Sequence, residues 1–362
     1  MNHVFYISAA DHHVCELYYD NGRWLPNDLT AATNGPQASN VFPMPPGVGT
    51  ITGFFDGSIE HVFYVSTSDN HVRELYYDGS WQPNDLTAVT NSPPAGGSLT
   101  GFFANGIEHV FYVSPEDGHV RELYYFGGSW LPNDLTVATN GVNVNNSWLT
   151  SFFADGVEHV FYRNQSGYVC ELYYLNGRWW GNNLTLDTGG PATEYPVITS
   201  FSGRGIEHVF YQSQVGDHSH VCELYYNGSW WGNDLTAVTS GPEAPGTVIT
   251  SLFDGSVEHV YYLGGPAGGP LHVHELYYNG AWWGNDLTAA ANAGYPFQSI
   301  TSLFDGMQHV FYIGQTSDPY TNAEGWGHVY ELYYDGAWHV NDLTGTSGPA
   351  ALAGPITCFS TP

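Results

Sequence analysis

The sequence predicts an all-β protein, a seven-bladed β-propeller of four-stranded antiparallel blades, and three observations predict it. The run His-Val-(Phe/Tyr)-Tyr begins at His3, His61, His109, His159, His208, His259 and His309, so successive copies lie 58, 48, 50, 49, 51 and 50 residues apart. That is the period of one four-stranded blade. Every copy continues to Glu-Leu-Tyr-Tyr, then a Trp, then Asn-Asp-Leu-Thr, which the fourth copy varies as Asn182-Asn183-Leu184-Thr185. Finally, the first copy starts at what is the second strand elsewhere, and the missing strand reappears at the far end as Ile356-Thr357-Cys358-Phe359. An array that completes its own first unit closes into a ring, which buries every blade face without capping units.

In the second copy, a first strand Ile51–Phe55 meets Asp56-Gly57, a strong hairpin signal, and a second strand runs from Glu60 to Ser66. A loop, Thr67 to Asn70, leads to a third strand from His71 to Tyr77, then Asp78-Gly79, then a fourth strand from Trp81 towards Thr87. The third-to-fourth turn recurs as Asn21-Gly22, Gly127-Gly128, Asn176-Gly177, Asn227-Gly228, Asn279-Gly280 and Asp335-Gly336, residue pairs that tolerate positive φ. Nothing in the unit reads as helical. The expected blades cover 1–49 with 353–362, then 50–97, 98–146, 147–195, 196–246, 247–297 and 298–352, all in one domain. The loop after the second strand is longest in the seventh copy, Gly314 to Gly327, with Tyr320 and Trp326.

Composition agrees, with 27 Tyr, 19 Phe and 12 Trp in the periodic segments and 44 Gly and 21 Pro between them. Six Lys plus Arg against 35 Asp plus Glu give a formal charge of −29, a field that repels phosphate backbones and anionic lipid surfaces. Nucleic acid and membrane insertion are therefore set aside as partners, and no apolar run approaches the roughly 18 residues of a membrane span. The chain reaches its first repeat without the pattern of a signal peptide, so a soluble protein is expected, cytoplasmic or exported by another route. Cys15, Cys170 and Cys222 share one column of the repeat and, with Cys358, are expected to be free thiols.

Why each copy carries a His and a Glu has two readings. Buried polar networks recur structurally in propellers when mutually satisfied, which would make the pair part of a protein-interaction scaffold. Alternatively, a carboxylate beside flat aromatic faces is the chemistry that grips a sugar, accepting hydroxyl protons while the rings cover C–H surface. At His61-Val62-Phe63, Glu74, Tyr77, Asp78-Gly79 and Trp81 the chain resembles the fucose-binding propeller lectins of the Aleuria aurantia type, over essentially its whole length. In that family an Arg stands where this chain has His, and six blades where this chain has seven.

The resemblance implies a non-enzymatic, multivalent lectin for neutral sugars of fucose-like or related kind, with glycans as partners, no cofactor and no metal. It implies polar clamps His3 with Glu16, His61 with Glu74, His109 with Glu122, His159 with Glu171, His208 with Glu223, His259 with Glu275, and His309 with Glu331. Its aromatic walls would be Tyr19 and Trp24, Tyr77 and Trp81, Tyr125 and Trp130, Tyr174 and Trp179, Tyr226 and Trp230, Tyr278 and Trp282, and Tyr334 and Trp338. Each site would join a clamp from one blade to a wall from the next.

Other features are weaker. His218 with His220 and His272 with His274 have the i, i+2 spacing of a metal pair without a third ligand in register. Glu60, Glu108, Glu158, Glu207 and Glu258 precede the His column as a further series, and the Glu of Glu-Leu-Tyr-Tyr, repeated in every blade, favours multivalent binding over hydrolysis. Asn145, Asn164, Asn183 and Asn227 begin glycosylation sequons.

Overall fold

The computed structural model describes the chain except for residues 9, 40–49, 194, 246–247, 266–268, 315–326 and 348–350. The long loop of the seventh copy therefore lies outside the described residues. The described strands form seven four-stranded antiparallel sheets, each in the strand order expected of a propeller blade. The second blade is typical, with strands Ile51–Phe55, Glu60–Val65, Val72–Tyr77 and Trp81–Asp85.

A blade between two neighbours has both faces covered, and the second strand shows it. His61, Val62, Phe63, Tyr64 and Val65 are all at most 2% exposed, without the alternation of a half-solvated strand. The sequence supplies apolar residues for both faces, and polar atoms among them need partners. The Tyr64 hydroxyl donates to the Pro36 carbonyl in the segment leaving the first blade, and Tyr112 and Tyr211 reach Pro93 and Pro191 in the same way. Six of the blades also drive a Trp edge-on into a Phe of the preceding one, as Trp81 does with Phe5 at 6.3 Å and 78°. Along the innermost strands, hydroxyls link neighbours, Thr100 to Ser151, Thr150 to Ser200 and Thr199 to Ser251, each at 2.9 Å.

The fourth strand departs from expectation. It ends at Asp85, and Leu86–Thr90 forms a single helical turn. Asp85 caps it by accepting from the Ala88 N–H at 3.0 Å, and Leu86 is fully buried. The Thr87 hydroxyl accepts from the third strand's Val72 N–H at 2.9 Å, and Asn91 closes the turn in the left-handed region at φ 52°. Equivalent turns follow the fourth strand in every blade. Five residues are too few to show helical periodicity, so Asp-Leu-Thr reads as a strand end when it is a cap, a core plug and an acceptor.

The ring closes as expected. Strand Ala351–Ser360 pairs antiparallel with Asn2–Ser8, in a register that sets Val4 opposite Cys358 and Tyr6 opposite Ile356. All four cysteines are free. Removing residues 353–362 strips the innermost strand from the first blade and uncovers an edge at Asn2–Ser8. Thermal melts should show a lower midpoint or aggregation for the truncated chain, and an unchanged midpoint would contradict closure by that strand.

Candidate functional site

The antiparallel register builds the site. Glu74 lies opposite Phe63 and opposite Asn84, and His61 is two residues from Phe63, so all three polar side chains share one face at one end of the blade. In all seven blades the His Nδ1 and Glu Oε1 are 2.7 or 2.8 Å apart. The second carboxylate oxygen accepts from the Asn of Asn-Asp-Leu-Thr at 2.7 to 3.2 Å. This Asn is a further residue of the candidate site, one that the sequence reading did not single out. The His and Glu are between 2% and 4% exposed throughout, so they form a floor and present little open surface.

The aromatic pairs stand above that floor. In every blade the Tyr and Trp rings lie tilted at 5.4 to 5.6 Å, and Tyr19, Tyr77 and Tyr334 are 40% or more exposed. Three clefts bring floor and wall together across blades. Between the fourth and fifth blades, a cleft of about 620 Å³ is lined by His159, Glu171, Tyr173 and Asn182 on one side and Glu207, Tyr226 and Trp230 on the other. Between the first and second, about 260 Å³ joins His3, Glu16, Tyr18 and Asn27 to Glu60, Tyr77 and Trp81. Between the seventh and first, about 200 Å³ joins His309, Glu331 and Tyr333 to Asn2, Tyr19 and Trp24. Tyr18, Tyr173 and Tyr333, the first tyrosines of Glu-Leu-Tyr-Tyr, are further lining residues that the repeat pattern did not single out.

The residue preceding each His crosses to the preceding blade's floor. Glu60 approaches His3, Glu158 approaches His109 and Glu207 approaches His159, each to 3.5 Å. Two blades carry an amide here: Gln308 contacts His259 Nε2 at 3.1 Å, and Asn2 donates to Asp305 at 2.9 Å. Burial pushes the Glu158 and Glu207 carboxyls up to about 7, with the nearby Glu122 and Glu171 carboxylates pushing the same way and His109 and His159 opposing. Glu60 and Glu258 are raised as well, again mainly by burial.

The remaining candidates have local roles. His218 is bonded to Glu243 and His220 to Asp234, so the two do not share a ligand. His272 and His274 do have a third residue within reach, Asp286, which lies opposite His274 on the fourth strand and escaped the spacing argument. Asp286 accepts from His272 at 2.7 Å and caps the following helical turn, a pairing that His13–Asp28, His71–Asp85, His119–Asp134 and His328–Asp342 repeat around the ring. Of the sequons, Asn164 is buried and accepts from two backbone N–H groups, and Asn183 caps a helix.

No family model matches the chain, and no curated protein is similar to it in sequence. In structure it is similar to AofleA from Arthrobotrys oligospora, in a variant with three arginines replaced by alanine, at TM-score 0.53 and 15% identity over 85% of this chain and 89% of that one. It is also similar to SapL1 lectin in complex with alpha methyl fucoside, at TM-score 0.51 and 18% identity over 87% of this chain and 98% of that one. At these identities the likeness is one of fold.

The raised carboxyls set a pH dependence. A carboxyl whose native pKa lies above its unfolded value contributes stability that is full below the unfolded value and lost as pH rises through the native one, here between about 4.5 and 7 for Glu158 and Glu207. Asp254 and Asp305 act at the other end: burial pushes them up, but hydrogen bonds from backbone N–H groups and neighbouring side chains hold them below the ordinary value, so their contribution is lost in strong acid. The melting temperature should therefore be higher near pH 5 than near pH 8.5. Replacing Glu158 and Glu207 together with Gln should raise it at the alkaline end and leave the acid end unchanged, and equal shifts at both ends would refute the assignment.

Proposed function

We propose that this protein is a multivalent lectin that binds neutral monosaccharide termini, fucose-like sugars among them, in the clefts between blades, with glycans as its partners. The observation that carries the reading is the meeting, across a blade boundary, of a buried His–Glu–Asn floor with a wall of an exposed Tyr and a half-buried Trp. The floor offers fixed acceptors and donors for ring hydroxyls, and the wall offers an apolar face for the opposite side of the ring. A fold shared with a lectin solved with alpha methyl fucoside supports it. One charge-assisted bond and one stacked ring make a weak site, and repetition around the ring raises the apparent affinity for a surface carrying many termini. The floor repeats in every blade with no one carboxylate set apart, which favours binding over hydrolysis.

A second reading, a protein-interaction scaffold, draws on the same floor. Both oxygens of every Glu are satisfied inside the blade, as a purely structural network requires. The wall separates the two. Tyr226→Ala removes an exposed ring from the cleft of about 620 Å³ without touching the floor. After a glycan array has identified a ligand, calorimetry on the lectin should show fewer sites for this variant, unchanged affinity at the others and an unchanged melting temperature. Identical sugar stoichiometry in both proteins, or no glycan bound at all, would favour the scaffold.

A further inference from the structure

Two positions decide the charge at each blade boundary. One is the residue at the end of the first strand, whose side chain reaches the His Nε2 where it is Asp or Thr; the other is the residue that the next blade sends across. Where the first is Ala or Gly, as at Ala104, Ala154 and Gly203, the second is a Glu. At the first blade Thr361 takes that place, with its hydroxyl 3.3 Å from His3 Nε2, opposite Glu60. Where the first is Asp254 or Asp305, 3.2 Å from the imidazole, the second is an amide, Gln308 or Asn2. At these two positions, six boundaries thus carry a single carboxylate.

The boundary between the second and third blades breaks the pattern, because Asp56 and Glu108 occur there together. Asp56 Oδ2 lies 3.6 Å from His61 Nε2, and Glu108 Oε2 lies 3.2 Å from His61 Nδ1. The Nδ1–H is already given to Glu74 at 2.8 Å. That leaves His61 Nε2 and Glu108 Oε2, on residues 2% and 8% exposed, without any hydrogen-bond partner. Three carboxylates surround one imidazole, and unpaired buried atoms of this kind are costly.

We propose that Asp56, His61 and Glu108 form a site for a divalent transition-metal ion, of which Zn²⁺ is the probe. One imidazole nitrogen and two carboxylates are suitable donors, and their ligand atoms lie within 4.8 Å of one another, the span one ion bridges at about 2.0–2.2 Å per bond after small rotations. Glu74 supplies the carboxylate that a metal-bound imidazole takes on its other nitrogen, fixing Nε2 as the ligand. The ion offsets the surplus charge that Gln308 and Asn2 avoid elsewhere. This site is independent of whether the clefts bind sugar.

The chain itself supplies the test, since each substitution restores a pattern that another boundary already uses. Asp56→Ala reproduces the Ala-plus-Glu arrangement and Glu108→Gln the Asp-plus-amide arrangement, so both variants should fold. Calorimetry with Zn²⁺ after chelator treatment should give one equivalent bound to the original chain and a rise in its melting temperature. Both variants should bind that equivalent at least about 100-fold more weakly. Glu158→Gln, the same swap one boundary along, should leave it intact. Zinc binding that survives both substitutions would assign the ion to surface histidines and overturn the proposal. So would a chain that binds no zinc while both variants gain stability, because a shared proton would then be what resolves the crowding.

Discussion

A blade enclosed between two others has no face left for water, and that constraint governs the rest of the molecule. A polar atom buried on the second or third strand is matched inside its blade or by the next, with few exceptions such as His61 Nε2 and Glu108 Oε2. The tyrosine hydroxyls answer it with carbonyls of the connecting segments. The third strand answers it with the Thr of Asn-Asp-Leu-Thr, and the glutamate with an imidazole and an amide. The candidate site is this solution where it comes within reach of a cleft.

The division of labour inside the site follows. Groups that must be held rigidly are at the bottom, where packing and paired hydrogen bonds over-determine their positions. The tyrosines that stand in solvent are free to differ among blades without disturbing the interior. Loss of a floor residue is therefore a stability event, and loss of a rim tyrosine is not. Cleft and core are coupled through Trp230, which lines the cleft with one surface and packs its edge on Phe161 with another.

Blade number, strand order and closure were all legible in the sequence, because the signals repeat at a period that only one architecture explains. The His–Glu pairs were legible for the same reason, and at three boundaries a pair and the next blade's Trp line one cleft. What escaped was either very short or very distant. The helical turn at Leu86–Thr90 is below the length at which periodicity speaks. The carboxyl that Glu207 sends to His159 was visible as a repeated letter, but its partner is 48 residues away, since 207 − 159 = 48. No local pattern says that the residue before one His answers to the His before it. Asn182 and its counterparts were hidden in a motif whose name-giving features, Asp, Leu and Thr, serve the opposite end of the blade.

The strand that completes the first blade leaves the two ends of the chain side by side, where Met1 and Thr361 exchange backbone hydrogen bonds. Tension applied between those ends would meet the antiparallel pair Asn2–Ser8 and Ala351–Ser360 from its open end. Such a load parts hydrogen bonds one after another instead of shearing them together, so the clasp of the ring is also its mechanical fuse. A circular permutant that joined the ends and opened the chain between two other blades would move that fuse without changing a single interior contact.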